Sequence, residues 1–225
     1  MATSVKSSDH ERAQAVWSGV QIELISFGWM IVEAIIAIAA GIIARSILLS
    51  AFGLDSVIEL VTGGVLLWRL VTETRGMSLG RVERVENRAA WVVGISLVLL
   101  CVYVVVTSVA GLLTGVHAAE SPVGIVLSVA ALLIMPLLAW RKRVIAAQLS
   151  SSALKGDAAC SITCAYMAGA LLVGLALNAA FGWWWADSLA ALALLYWLVP
   201  EAREALEGAR AGRAACACDD DECDA

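Results

Sequence analysis

Two short stretches carry side chains that could hold a metal ion. LKGDAACSITCAY, from Leu154 to Tyr166, places Asp157, Cys160 and Cys164 at i, i+3 and i+7. On a helix this spacing lines a carboxylate and two thiols along one face. FGLDSVIE, from Phe52 to Glu59, places Asp55 and Glu59 at i, i+4 within an apolar run. Asp55, Glu59, Cys160 and Cys164 are then four candidate ligands on two helices. Two oxygens and two sulfurs in a tetrahedral set suit Zn(II) or Cd(II), and the sulfurs favour soft ions over Mg(II) or Ca(II). Cysteine binds metal as thiolate and carboxylates bind it ionised, so metal and protons compete for the same atoms. Competition of that kind suits an exchanger that loads metal on one side of a barrier and releases it against protons on the other.

The elements that must position these residues follow from composition. Of the 225 residues 61% are hydrophobic and only 16% charged, which is too apolar for a soluble domain and reads as a polytopic membrane protein, an all-α bundle in the lipid bilayer. The net charge of −5 is dominated by the acidic tail and by carboxylates near helix ends, and nucleic acid is not an expected partner. Of the six cysteines three lie inside apolar runs and three in the tail, so no secreted disulfide framework is present. Met1 to Gly19 is polar and lacks the short apolar core of a signal peptide. Runs of spanning length follow at Ile22 to Ile43, Ile47 to Val71, Ala89 to Leu113, Ser121 to Trp140, Ala153 to Ala179 and Trp184 to Val199. Pro122 suits the first turn of the fourth run, Pro136 kinks it, and Pro200 helps to stop the sixth. The expected organisation is an N-terminal segment over 1–20, a six-helix transmembrane domain over 21–200 and a short acidic, Cys-rich tail over 201–225.

Basic residues orient the bundle. Arg69, Arg75, Arg81, Arg84 and Arg88 cluster around the second connection, and Arg141, Lys142, Arg143 and Lys155 around the fourth, while Arg45 alone falls on the other side. The positive-inside rule therefore places both termini in the cytoplasm. Trp183, Trp184 and Trp185 then lie at the outer interface, with Trp68, Trp91, Trp140 and Trp197 toward the inner one. At about 1.5 Å per residue, Asp55 and Glu59 lie about 12 and 18 Å below the outer edge of an apolar core about 30 Å thick. Cys160 and Cys164 lie about 10 and 16 Å above its inner edge. If the second and fifth helices are neighbours, Asp55 faces Cys164 and Glu59 faces Cys160. Unpaired carboxylates at this depth cost several kcal/mol. No Lys or Arg within the six runs lies at their level, so a divalent metal or bound protons must compensate.

With these residues in place, the chain resembles the transmembrane domain of the cation diffusion facilitators, proton-coupled exporters of Zn(II) and similar ions. The resemblance covers roughly residues 20 to 200 and rests on the six-helix layout, on DSVIE with Asp55 and Glu59, and on GDAACSITC. It implies that Asp55, Glu59, Cys160 and Cys164 occupy the four ligand positions, with Asp157 as the aspartate that precedes the fifth-helix pair. Cysteines stand where the family usually has His or Asp, which suggests a softer ion. About 25 residues follow Pro200, so the family's cytoplasmic ferredoxin-like domain is not expected. Dimerisation and metal sensing through that domain are not carried over, and homodimerisation stays open. The expected function is export of Zn(II), Cd(II) or another soft divalent ion in exchange for protons, in the plasma membrane. No enzymatic reaction and no prosthetic group are expected. The alternatives are a membrane sensor or accessory protein that binds metal without moving it, and a structural or redox bundle.

Several residues carry two readings. Asp157 either guides metal inward or caps and orients its helix. Glu33, in the middle of the first run, is an intramembrane carboxylate and so a functional candidate, or else a hydrogen-bond partner of a neighbouring helix. Asp187 suits the N-terminus of the sixth helix and Cys101 suits packing. A Cys160–Cys164 disulfide is disfavoured, because i, i+4 Cβ atoms are about 5 to 6 Å apart on a helix. The tail interleaves Cys216, Cys218 and Cys223 with five acids. It is either a solvated acidic end or a segment that captures metal beside the entrance.

Overall fold

A computed structural model of the chain describes residues 2–74, 79–115, 118–149 and 151–210. Among these residues the chain forms six helices: α1 (Ala2–Ala44), α2 (Ile47–Thr74), α3 (Leu79–Thr114), α4 (Pro122–Leu149), α5 (Ser152–Phe181) and α6 (Trp184–Arg210). No strand occurs among the described residues. The protein is an all-α, multi-pass integral membrane protein. Five helices, α1 to α5, are long and apolar enough to cross a bilayer. The sixth is not, because its apolar stretch is bracketed by Asp187 on one side and by Glu201, Arg203 and Glu204 on the other; it packs along α3 and against α5 and α2.

α1, α2, α5 and α4 close a ring in which each helix touches the next, and α3 and α6 pack as a pair against its α2 and α5 side. Small residues let the backbones approach, as is usual where lipid supplies no hydrophobic drive between helices. A Cβ at Gly53 would lie 2.8 Å from Ile38 Cγ1 and 2.9 Å from Ala37 Cβ, and one at Gly41 would lie 2.8 Å from the Ser50 backbone nitrogen. Arg45, at φ 52°, closes the turn between α1 and α2.

Helix ends are satisfied by side chains. Asp187 of α6 accepts a hydrogen bond from the Ser46 hydroxyl and from the backbone N–H groups of Ile47 (2.8 Å) and Leu48 (3.4 Å). It thereby supplies partners for two orphan donors at the start of α2. Ser151 caps α5 by accepting from the Leu154 N–H, and Gly182 closes the other end in the left-handed conformation.

Four helices run further than their apolar stretches suggest: α1 already begins at Ala2 and α3 at Leu79, and α4 and α6 extend at their far ends. α4 continues to Leu149, and its buried stripe of Leu138, Ala139, Lys142, Ile145 and Ala146 carries Lys142 into the protein interior. α6 continues through Pro200 to Arg210. A proline removes one backbone hydrogen bond, which here is outweighed by the burial of Leu198, Ala202, Ala205 and Ala209. The expectation that Pro200 stops the helix is corrected accordingly.

Candidate metal site

α2 and α5 are neighbours, the condition on which the facing of their acids and thiols depends. The Cys164 thiol donates to Glu59 Oε2 at 2.7 Å, and ligand atoms of Asp55, Glu59 and Cys164 all lie within 4.8 Å of one another. All three residues are buried. The register differs from the one expected, since Glu59 faces Cys164 rather than Cys160. α2 and α5 meet over a short stretch, unlike α4 and α5, which pack along their lengths. Helices that cross in this way bring about one turn of each into contact, so one cysteine of the pair reaches both acids. Cys160, half-buried one turn nearer the basic-loop end, stands outside this group. Cys164 is a free thiol, so the two cysteines are not bonded to each other.

Asp55 is 2% exposed and neither of its carboxylate oxygens has a hydrogen-bond partner. A carboxylate in that state is a costly arrangement and leaves both oxygens available to a cation. Next to it, Ser56 donates to Glu33 Oε1 at 2.8 Å, and the Trp29 indole N–H donates to Glu33 Oε2 at 2.6 Å. Glu33 is thus a fully buried carboxylate that ties α1 to the turn of α2 bearing Asp55. Both of its oxygens are already engaged.

Toward the basic-loop end lies a second polar cluster. Lys142, 2% exposed, pairs with Asp157 of α5 and with Glu23 of α1 at 3.4 Å, and its ammonium lies 3.4 Å from the Ser161 hydroxyl. Asp157 therefore does not cap α5, a task that falls to Ser151. Lys142 sits just past Trp140 in an Arg-Lys-Arg run that reads as a loop. The signal that could have revealed it is its i+3 and i+4 spacing from Ala139 and Leu138.

Glu201 was also missed, because Pro200 marks an end in sequence terms. Its Oε2 is buried without a hydrogen-bond partner. The tail cysteines Cys216, Cys218 and Cys223 lie outside the described residues.

No curated protein matches the chain. The family model of the cation efflux transmembrane domain matches residues 24–207, a span that includes Asp55, Glu59, Cys164, Lys142, Asp157 and Glu201. Members of that family are transporters of metal cations and carry no prosthetic group. With most of its length inside this match, and with buried acids facing a thiol across two neighbouring helices, the chain belongs to the cation efflux family of membrane transporters.

Proposed function

We propose that this transporter exports a divalent transition-metal cation, Zn(II) or a softer ion such as Cd(II), in exchange for protons, with Asp55, Glu59 and Cys164 as ligands. The observation that carries this reading is the convergence of two carboxylates and a free thiol within 4.8 Å of one another, buried between α2 and α5. Sulfur beside carboxylate favours Zn(II) or Cd(II) over harder ions. The Cys164 thiol donates to Glu59, so a proton occupies the line between two prospective ligands. An arriving ion must displace it, and returning protons must expel the ion. Cys160 and the Asp157, Glu23 and Lys142 cluster lie along the approach from the basic-loop end, which the positive-inside rule makes cytoplasmic. The cytoplasmic termini, the plasma-membrane location, the division at 20 and 200 and metal capture by Cys216, Cys218 and Cys223 belong to the same reading.

The test is Zn(II) and Cd(II) flux into proteoliposomes under an imposed pH gradient, for the native chain, Asp55→Asn and Cys164→Ser. Gradient-dependent flux that both variants lose supports exchange at this site. Binding without flux in the native protein would favour a metal-binding sensor, and absence of both would sink the metal reading.

A further inference from the structure

An ion that reaches Asp55, Glu59 and Cys164 from the basic-loop end must pass between the four helices of the ring. α2 runs toward that end and α5 away from it, so Gly63, four residues after Glu59, and Ser161, three before Cys164, lie about 6 and 4.5 Å inward of those ligands. Both meet the same charged cluster. A Cβ on Gly63 would lie 4.0 Å from Glu23 Oε2, and the Lys142 ammonium lies 3.4 Å from the Ser161 hydroxyl. The cluster therefore stands one turn beneath the site on both helices that form it.

Its members come from every side of the ring. Glu23 reaches from α1, with one oxygen beside α2 and the other 3.4 Å from Lys142 of α4, and Lys142 reaches on to Asp157 of α5. Glu23 and Lys142 are each 2% exposed. One turn along α1, the Phe27 ring covers the same stretch of α2, where Cβ atoms at Gly63 and Gly64 would lie 4.0 and 3.5 Å from it. The two ion pairs are unequal. Lys142 and Asp157 belong to α4 and α5, which pack along their lengths, whereas the Lys142 to Glu23 pair crosses to α1 and its Glu23 oxygen forms no hydrogen bond. A buried ion pair adds little stability over apolar residues of the same volume, but it can hold a seam shut and release it as packed helices slide.

We propose that Lys142 is the inner gate of the ion path and Glu23 its catch. With the ammonium between Glu23 and Asp157 the way to Cys164 is shut, and it opens when Lys142 leaves Glu23 and stays with Asp157. This inference rests on the metal site proposed above as the destination of the path and adds the barrier in front of it.

The test is the reactivity of Cys164 toward a membrane-impermeant methanethiosulfonate reagent. It uses full-length protein in liposomes, labelled from either side, with Cys101, Cys160, Cys216, Cys218 and Cys223 changed to serine. Glu23→Gln removes the catch and leaves Lys142 paired with Asp157. Lys142→Ala combined with Glu23→Gln and Asp157→Asn removes the gate without leaving an unpaired charge. Each is expected to raise the labelling rate at least about tenfold, as a minor open state becomes a major one, and only from the basic-loop side. An unchanged rate in either variant, or an equal rise from both sides, which is what a loosened bundle gives, would overturn the gate. Cd(II) added before the reagent reports the metal site separately. Protection of Cys164 that Asp55→Asn loses supports that site, and absence of protection overturns it whatever the labelling rates say of the gate.

Discussion

Asp55 and Lys142 are both buried ionisable residues, yet they stand in opposite situations. Asp55 has no partner for either oxygen, whereas Lys142 is paired twice. Asp55→Asn is therefore expected to remove transport and yet leave the metal-free protein as stable or more stable, because a buried unpaired acid becomes a neutral amide. Thermal unfolding in detergent, with and without Cd(II), checks this: the native protein should gain stability with metal, and the variant should begin no lower and gain little. A variant that unfolds well below the native protein would show that Asp55 serves the fold. Lys142→Met leaves Glu23 and Asp157 without their cation, and loss of one partner from a buried pair costs about 3–5 kcal/mol. Neutralising the acids as well, in Lys142→Met with Glu23→Gln and Asp157→Asn, should recover most of that loss. Equal instability of the single and triple variants would mean that packing of the lysine stem, not charge, accounts for the effect. Asp55, Glu59 and Cys164 were legible because acids and thiols inside apolar runs are rare and their spacing shows one face. Lys142 was not, because a basic run beyond an interfacial tryptophan has the composition of a loop and only burial on the continued helix reveals its role.

Helix packing explains which turn of each helix reaches the site. Gly53 lets α2 come against Ile38 and Ala37 of α1, and two residues further on Asp55 faces α5 while Ser56 bonds Glu33. Gly53→Ala would place a methyl within 2.9 Å of the Ile38 backbone nitrogen, which a backbone atom cannot relieve by rotating. The expected result is a stability loss of about 1–3 kcal/mol and a fall in flux, since Asp55 and the Ser56 to Glu33 bond move with the helix. Gly169→Ala is the control, as its Cβ would meet only Leu132 Cδ1 at 3.7 Å and should change little. Comparable losses in both variants would count against the close approach at Gly53. Apolar run length located all six helices, and the adjacency of α2 and α5, which the sequence left as a condition, is observed. Their register was not legible, because counting residues from helix ends assumes parallel helices. Where α2 crosses α5, one cysteine serves both acids and the other is left a turn away.

The whole molecule is a closed ring of α1, α2, α5 and α4 with α3 and α6 attached at the seam that holds the site. An ion bound there joins α2 to α5, so its binding free energy adds to the stability of the entire bundle, about 2.7 kcal/mol at a hundred times the dissociation constant. Protons compete with it. The thiol proton that Cys164 shares with Glu59 must leave before metal binds, and any proton held on the carboxylates must leave as well. Apparent Cd(II) affinity should therefore weaken as pH falls, by about tenfold per pH unit for each proton displaced. Calorimetry of the tail-cysteine-free protein at several pH values, in buffers of different ionisation enthalpy, gives that number from the slope and from the heat. A slope between about one and two protons per ion is the expected outcome, and the same ratio should reappear as the proton-to-metal stoichiometry of flux in liposomes. Affinity indifferent to pH would mean that these ligands do not exchange protons for metal. The driving force for export would then have to act elsewhere in the bundle, at the Glu23, Lys142 and Asp157 cluster, where paired charges rather than an open donor set face the approaching ion.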